Sequence, residues 1–357
     1  MPNDYDVSRT LCRWYDTHRR ALPWRDTRDP YRIWISEVIL QQTRVAQGMD
    51  YYHRFLERFP DVRALADASE QDVLRLWQGL GYYSRARNLH AAARDVRDRF
   101  GGRFPTAYAD VRSLSGIGDY TAAAIVSFAT GAPYAAVDGN VLRVIGRLFA
   151  IDTPTDTSAG RRLYNDLARS LLPPDHAGEH NQAIMEFGAL QCVPRNPDCS
   201  VCPLVARCAA HAAGTPERFP VKQHRTKTVD RYFHYFYVTT GDDLFLHRRP
   251  AGDIWQGLFE LPLIETSAPA DLDALMRTDD FRALFADTGN TQFALVAADV
   301  RHVLTHRVLH ATCYLARIQR PSEALLRLTH TSRADLDRYP LPRLITLLID
   351  RVHADGH

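Results

Sequence analysis

Apolar residues recur at helical spacing through the first half of the chain. From Tyr31 to about Leu190 they follow the three-to-four residue repeat of a helix with one buried face, as in RRLYNDLARSLL, and Gly or Pro stands at the ends of these segments. This pattern predicts a mostly helical domain over residues 1–211.

The pattern changes beyond the last closely spaced cysteine. Residues 212–228 are basic, contain Gly and Pro and have no periodic apolar face, so we expect an interdomain connector. Runs rich in β-branched and aromatic residues follow, namely RYFHYFYVTT, DLFLHRR, QFALVAADVRHVL and LHATCYLARI, and helical patterns occur in ADLDALMR and LPRLITLLIDRV. Residues 229–357 are therefore predicted to form an α+β domain.

Chain length and net charge limit the possible classes of protein but do not identify the function. The 357 residues exceed the usual single domain, and the net charge of +2 is only mildly basic, so a nucleic-acid surface would have to be a local patch. The chain contains no apolar run of eighteen residues, and the N-terminal residues lack a basic region followed by an apolar stretch. We expect a cytoplasmic protein without a membrane span.

Four of the six cysteines occupy one short window. Cys192, Cys199, Cys202 and Cys208 have the spacing of four thiolate ligands, which suits a tetrahedral zinc ion or a [4Fe–4S] cluster, and spacing alone does not choose between them. The two isolated cysteines are expected to be small buried hydrophobic residues; they are Cys12 and Cys313.

A glycine-containing turn precedes an apolar helix at Leu114–Ala122. Gly116 and Gly118 would let backbone N–H groups approach an anion at the start of the helix, such as a phosphate. An ordinary helix–helix turn is the alternative.

Two carboxylates stand out as candidates for acid and charge-stabilising chemistry. Glu37 lies in the apolar segment WISEVILQQT, where loss of hydration would raise its pKa and keep a proton available. Asp138 lies in AVDGNV before a helix and is a good N-cap residue. A surface Glu and a purely structural N-cap are the alternatives.

Taken together and in this order, these motifs resemble those of the endonuclease III and MutY glycosylase family. The resemblance implies an all-α helix-hairpin-helix glycosylase domain with the hairpin at about 110–133 and an iron–sulfur loop at 192–208, followed by an α+β Nudix-like domain. It also implies a [4Fe–4S] cofactor and a monomeric, nucleoid-associated repair enzyme. Its partner would be double-stranded DNA holding adenine opposite 8-oxoguanine or guanine, and the enzyme would flip that adenine out of the helix and hydrolyse it off.

The resemblance assigns roles to particular residues. Glu37 and Asp138 match the family's catalytic positions, and Tyr120 and Asn140 match positions near them. Gly116 and Gly118 match the positions that bind the DNA backbone. Other motif positions imply contacts to the base and to the opened duplex; these are Trp24, Arg25, Gln41, Gln42 and Tyr82. A buried core aromatic is the alternative for Tyr82.

One substitution within the hairpin indicates the reaction type. In bifunctional relatives the position of Tyr120 is a lysine whose amine attacks the sugar, and the lysines of this chain are Lys222 and Lys227, both after the helical segment. We therefore predict a monofunctional enzyme. The rival hypotheses are an endonuclease III-like glycosylase and lyase, and a non-catalytic iron–sulfur DNA-binding protein.

The C-terminal region resembles a Nudix-like domain through WQGLFELP at Trp255–Pro262. It lacks the clustered carboxylates with which a pyrophosphohydrolase holds magnesium, so we expect recognition rather than catalysis from it. Leu304, Thr305 and His306 match the family's Phe-Ser-His loop, which contacts 8-oxoguanine. Thr305 keeps a hydroxyl for the lesion, whereas Leu304 lacks the aromatic ring.

Overall fold

The computed structural model describes residues 4–224 and 228–354. The chain divides into two compact units, the first made of residues 1–67 and 88–225 and the second of residues 68–87 and 226–357. The first is helical and the second is built around a sheet, as the two hydrophobic patterns predict. Lys227 and the adjoining part of the expected connector lie outside the described residues.

Twelve helices occur between residues 4 and 212. Their bounds are α1 Asp4–His18, α2 Pro30–Leu40, α3 Val45–Arg58, α4 Val62–Asp67, α5 Glu70–Leu76, α6 Ser84–Arg99, α7 Tyr108–Ser113, α8 Asp119–Thr130, α9 Gly139–Leu148, α10 Ser158–Leu171, α11 Ala177–Leu190 and α12 Ala209–Ala212. Within the described ranges, none of the helices is both long and apolar enough to cross a membrane.

Helix α2 is the most deeply buried element of the first unit that carries a candidate residue. Asp29 caps it by accepting a hydrogen bond from Tyr31 N at 2.9 Å, and Pro30 occupies the first helical position. Its residues from Ile33 to Ile39 are all buried. A helix that is apolar around its whole circumference belongs in a core, so Glu37 is carried into the interior with it.

Helix α11 packs against α1, α8 and α9 and so joins the two sides of the first unit. Phe187 from α11, Leu11 from α1 and Ile145 from α9 meet in one buried cluster. The expected connector belongs to this unit as far as His224, because Gln223 N and His224 N donate to the Asp156 carboxylate at 2.9 Å each.

The second unit contains a mixed seven-stranded sheet. Its elements are β1 Val229–Thr240, β2 Asp243–Arg248, β3 Phe259–Glu260, β4 Leu263–Thr266, α13 Leu272–Met276, α14 Asp279–Leu284, β5 Gln292–Val303, β6 Arg307–Arg317, α15 Glu323–Leu326, β7 Thr329–Ser332 and α16 Arg343–Ala354. The main path runs β3-β2-β1-β6-β5, with β1 parallel to β6 and the other pairs antiparallel. The predicted sheet and both predicted helical segments are confirmed.

Alternating residues of β1 face two separate cores. Phe233, Tyr235 and Tyr237 pack in the cluster that includes α16, whereas Phe236 packs with the short helices α13 to α15 on the other face. Helices cover both faces of the sheet, which is why β1 reads as a nearly continuous apolar run.

Residues 68–87 pack with the sheet although they lie early in the chain. Arg87 Nη1 donates to Gln256 O at 2.8 Å, and Gln71 Nε2 donates to Arg338 O at 3.1 Å. Their helical pattern is like that of their neighbours, so the sequence carries no signal for this placement. Tyr82, which lies in this segment, therefore belongs structurally to the second unit.

A buried ionic network stabilises the second unit beneath its WQGLFELP segment. Glu260 is fully buried; both its oxygens accept from Arg249 Nη1 at 2.9 Å, and Oε2 also accepts from the Tyr235 hydroxyl at 3.1 Å. Arg249 also pairs with Asp253, which Arg231 contacts at 2.7 Å. Removing one member of such a network leaves an unpaired charge inside the protein.

We predict that Glu260→Ala lowers the free energy of unfolding of the second unit by about 3 kcal/mol, because it leaves the Arg249 guanidinium buried without its main partner. Hydrogen exchange of the β1 and β2 amides would measure the loss locally. Glu323→Ala removes the exposed ion pair with Arg327 and is the control, expected to cost less than about 1 kcal/mol. Equal losses in the two variants would contradict the prediction.

Candidate active site

A cleft of about 920 Å³ opens in the first unit. It brings together eight residues that the sequence assigned to catalysis or to base contact, namely Trp24, Arg25, Glu37, Gln41, Gln42, Tyr120, Asp138 and Asn140. They come from helices α2 and α8, from the turn directly after α2, from the start of α9 and from the segment before α2. Residues far apart in sequence thus line one recess.

Glu37 lies at the wall of this cleft with only 8% of its surface exposed. The Tyr120 hydroxyl donates a hydrogen bond to Glu37 Oε2 at 2.6 Å. Burial raises the pKa of Glu37 to about 7; the Tyr120 hydrogen bond opposes this rise and the nearby negative charge of Asp138 adds to it. The alternative of a surface glutamate is excluded, and the side chain holds or releases a proton near neutrality.

Asp138 caps helix α9 and also faces the cleft. Its Oδ1 accepts from Val141 N at 2.8 Å, and its Oδ2 accepts from Asn140 Nδ2 at 2.7 Å. Burial raises its pKa, while these hydrogen bonds and the charge of Arg143 act in the opposite direction. The N-cap function and a position in the cleft therefore coexist in one side chain.

Arg143 links the Asp138 side of the cleft to the cysteine segment. Its Nη2 donates to Asn140 Oδ1 at 2.8 Å, and its Nε donates to Cys192 O at 2.7 Å. The sequence analysis did not single out this residue. An arginine one turn after Asn140 on α9 carries no pattern that would distinguish it from a solvent-exposed one.

An ion triad centred on the buried Glu186 of α11 forms another part of the cleft wall. Glu186 is 1% exposed and accepts hydrogen bonds from Arg25 at 2.7 and 2.9 Å and from Arg20 Nε at 2.8 Å. Although burial acts to raise the pKa of Glu186, the hydrogen bonds from Arg20 and Arg25 outweigh it and lower the pKa to about 2. No sequence motif pointed to Glu186, although it shows the signal that identified Glu37, a carboxylate among apolar neighbours in a helix.

The end of α2 presents amide side chains at the rim of the cleft. Gln41 Nε2 donates to Thr121 Oγ1 at 3.3 Å, and Gln42 has a left-handed backbone with φ of 59°. A left-handed conformation is uncommon in residues other than glycine and ends the helix sharply at this point. Both amides therefore lie where the buried helix meets the surface.

The glycine turn between α7 and α8 lies apart from the residues that line the cleft. Gly116 has φ of +74°, and a Cβ there would lie 2.6 Å from Asn88 Cβ, so the position requires glycine. Gly118 is the N-cap of α8 without a side-chain cap, and a Cβ there would meet nothing within 4 Å. The helix start is thus open for an approaching anion.

Tyr82 and the 304–306 loop meet in the second unit. Tyr82 is 49% exposed with φ of 47°, which excludes a buried core aromatic, and its hydroxyl lies 2.6 Å from Thr305 Oγ1. Leu304 is partly buried against the sheet cluster. His306 is exposed, and its carbonyl oxygen accepts from Val229 N at 3.0 Å. The loop thus presents Thr305 beside Tyr82.

The four clustered cysteines line a second, small cavity in the first unit. All six cysteines are free, and Cys313 is buried in the core as expected, whereas Cys12 is half-buried. Arg147, 2% exposed, donates to Val193 O at 2.7 Å, to Pro194 O at 2.9 Å and to Cys192 Sγ at 3.4 Å. A buried cation beside the sulfurs suits a group that carries thiolate charge.

Two family models match the chain in the order of its two domains. The model described as "HhH-GPD superfamily base excision DNA repair protein" matches residues 35–168, and the NUDIX domain model matches residues 234–351. Among solved structures, a thermostable thymine-DNA glycosylase is 30% identical with a TM-score of 0.55, over 59% of this chain and 97% of that one. An endonuclease III in a non-covalent DNA complex is 23% identical with a TM-score of 0.52, over 60% of this chain and 99% of that one, and supports the fold.

Similar curated proteins indicate the activity more narrowly than the family models do. An adenine DNA glycosylase of Buchnera aphidicola subsp. Baizongia pistaciae is 32% identical over 86% of this chain and 83% of the relative, and that of Mus musculus is 46% identical over 56% of this chain and 41% of the relative. The helical fold, the cleft and these matches define a DNA glycosylase of base excision repair, which hydrolyses N-glycosidic bonds. The chain belongs to the adenine DNA glycosylase family.

We predict that Glu37→Gln changes how the stability of the protein depends on pH. Because the folded state raises the Glu37 pKa from its ordinary 4.5 to about 7, the wild type loses up to about 3 kcal/mol at this group as the pH rises through that interval, and a glutamine does not. Urea unfolding of both proteins at about pH 4 and about pH 8 would measure the difference. Glu57→Gln, at an exposed position, is the control. If the stability difference between Glu37→Gln and the wild type were the same at both pH values, folding would not raise the pKa of Glu37.

Proposed function

We propose that this glycosylase is monofunctional and releases adenine from DNA in which the adenine faces 8-oxoguanine or guanine. The observation that carries the proposal is the pairing, in one cleft, of a carboxyl that holds a proton near neutrality with a second carboxylate in a hydrogen-bonded cap. Cleavage of a bond to a sugar needs an acid for the leaving group and a negative charge for the sugar cation.

Glu37 is the acid in this mechanism. The adenine is flipped out of the duplex into the cleft, and Glu37 donates its proton to N7 of the base. Protonation makes the base a better leaving group, and the electrons of the bond between C1′ and N9 pass to the base. The Tyr120 hydroxyl, 2.6 Å from Oε2, orients the carboxyl and stabilises the carboxylate that remains.

Asp138 stabilises the sugar cation that bond cleavage leaves behind. Asn140 Nδ2 and Val141 N hold its two oxygens at 2.7 and 2.8 Å, so the carboxylate is oriented before the substrate arrives. A water molecule then adds to C1′ and passes a proton to the Glu37 carboxylate, which restores the acid, completes hydrolysis and leaves an abasic site. Arg143 holds Asn140 and thereby acts as a positioning residue.

The strand itself stays intact in this reaction. Strand cleavage by a Schiff base needs an amine at the sugar, and the hairpin position that carries it in bifunctional relatives is Tyr120, whose hydroxyl is engaged by Glu37. Residue 120 therefore lacks the amine that the glycosylase and lyase hypothesis requires at this position.

Two surfaces serve DNA binding in this proposal, on the glycosylase domain of residues 1–211 and on the recognition domain of residues 229–357. The open start of α8 behind Gly116 and Gly118 binds a backbone phosphate, and Gln41 and Gln42 contact the opened duplex. Tyr82 stacks at the mispair, and Thr305 hydrogen-bonds the 8-oxoguanine. Trp24 and Arg25 line the pocket for the base.

The four cysteines are proposed to hold a [4Fe–4S] cluster. They line one cavity, where Arg147 donates to Cys192 Sγ at 3.4 Å. Four thiolates at this spacing suit such a cluster, and the family resemblance favours it over a zinc ion. When bound, the cluster would cross-link the 192–208 loop, and Arg147 would hold that loop on α9.

The test of the proposed function is single-turnover incubation of the protein with a duplex holding adenine opposite 8-oxoguanine. Strand breaks are scored with and without later alkali. Breaks that appear only after alkali support a monofunctional glycosylase. Direct breaks would favour the lyase, and no breaks in either sample would favour a non-catalytic binding protein.

We predict that Glu37→Gln and Asp138→Asn each reduce base release at least about a hundredfold while duplex binding survives, since each removes a proton or a charge and keeps the shape of the side chain. Asparagine is as good an N-cap as aspartate, so helix α9 is preserved. Matched controls are Glu57→Gln and Asp166→Asn, both at exposed positions. Retention of activity in either cleft variant would contradict these roles.

We predict that Cys202→Ser lowers the iron content and the visible absorption of the purified protein, because a thiolate ligand is lost. Cys313→Ser, at a buried cysteine outside the cluster, is the control and should retain both. Zinc in place of iron in the wild-type protein would refute the assignment of the cofactor.

A further inference from the structure

His310 lies between two aspartates close to the 304–306 loop. Its Nδ1 is 2.8 Å from Asp299 Oδ1, and its Nε2 is 2.9 Å from Asp230 Oδ1. The Tyr232 ring stacks on the imidazole with centroids 4.9 Å apart and planes 20° apart. Carboxylates only accept hydrogen bonds, so both contacts are satisfied together when both ring nitrogens carry a proton. The geometry therefore requires the imidazolium form.

The three residues come from three strands of the sheet. Asp230 lies on β1, His310 on β6 and Asp299 on β5, so the charged ring ties the edge strand β5 to its neighbour β6 and to β1 beyond it. The register of β5 against β6 shifts between Ala297 and Val300, and Asp299 in that interval is left-handed with φ of 46°. The bulge is what allows Asp299 to face the ring.

This cluster lies near the base of the hairpin formed by β5 and β6, whose loop contains Thr305. Leu304 N donates to Arg307 O at 2.8 Å and closes the turn, and Val229 N, next to Asp230, donates to His306 O at 3.0 Å. The residue after the bulge, Val300, is already paired with β6. A movement of β5 or of the start of β1 would therefore shift the loop relative to Tyr82.

We propose that His310 is a positioning residue for lesion recognition: its protonated ring, bound to Asp230 and Asp299, holds the 304–306 loop in the place where Thr305 meets 8-oxoguanine. This inference rests on the proposed function of the loop. It goes beyond that function by adding a residue that never touches DNA and a dependence of discrimination on pH.

The charges around the ring decide the sign of that dependence. Asp230 from β1 and Asp299 from β5 face it, Tyr232 covers it, and Arg301 is its exposed cross-strand neighbour. The hydrogen bonds to Asp230 and Asp299 raise the pKa of His310. The contacts are therefore complete below the raised pKa and are lost as the pH rises through it. Recognition of 8-oxoguanine falls with them.

The test measures discrimination, defined as the ratio of single-turnover rates on adenine opposite 8-oxoguanine and opposite guanine at subsaturating enzyme. The ratio is measured from about pH 6 to about pH 9, across the range in which histidines titrate. Titration of Glu37 affects both substrates alike and cancels in the ratio. The wild-type ratio is expected to fall by about fivefold over this range, the scale of a partly exposed ion pair.

Two variants separate charge from structure. His310→Gln keeps a polar side chain without the charge, so its ratio is expected to be about fivefold lower at low pH and independent of pH. His310→Arg keeps a charge that does not titrate, so its ratio should stay high throughout. The matched control is His330→Gln. His330 on β7 lies 3.2 Å from Asp243 on β2, away from β5 and β6, so this variant should have the same ratio as the wild type.

The outcomes distinguish the inference from the function on which it rests. A wild-type ratio independent of pH, or a His310→Gln ratio equal to that of the wild type, would overturn the positioning role. Equal losses on both substrates in His310→Gln would also overturn it, because they would mean a general structural defect. A wild type that releases adenine from neither duplex would instead overturn the proposed function, and release from both at the same rate at every pH would overturn the proposed contact of Thr305 with 8-oxoguanine.

Discussion

The proposed active site depends on the burial of one carboxyl group. Residues Ile33 to Ile39 of helix α2 are all buried, so folding carries Glu37 out of water, and the loss of hydration moves its pKa to about 7. A glutamate in water would have lost its proton at neutral pH and could not act as an acid. Many of the surrounding hydrogen bonds and ion pairs offset the unfavourable free energy of burying charged groups in this cleft.

The other charges of the cleft are arranged around that group. Tyr120 donates to Glu37, Asp138 is held by the start of α9, and Glu186 is neutralised by two arginines, so each buried carboxylate has defined partners. Arg143 then joins Asn140 to the backbone of the cysteine segment. The cysteine segment therefore supports the start of helix α9, and the proposed iron–sulfur cluster would strengthen that support.

Local signals in the sequence predicted much of this. The helical and the sheet-containing units follow from the two hydrophobic periods, and the burial of Glu37 follows from its apolar neighbours. Glu186 could have been found by the same criterion. Partners that meet only through the tertiary fold could not be predicted, because nothing near Arg143 or His310 in sequence points to Cys192 or to Asp299. The assignment of residues 68–87 to the sheet unit is of this kind as well.

The pH dependence of base release tests the central claim most directly. The single-turnover rate on adenine opposite 8-oxoguanine, measured at saturating enzyme, should be highest when Glu37 is protonated and Asp138 is ionised. We predict that it falls at high pH with an apparent pKa at or above about 7, and that DNA phosphates can only move this value upward. A fall centred near 4.5, the ordinary value for a glutamate, or a rate that rises with pH through neutrality would contradict the account.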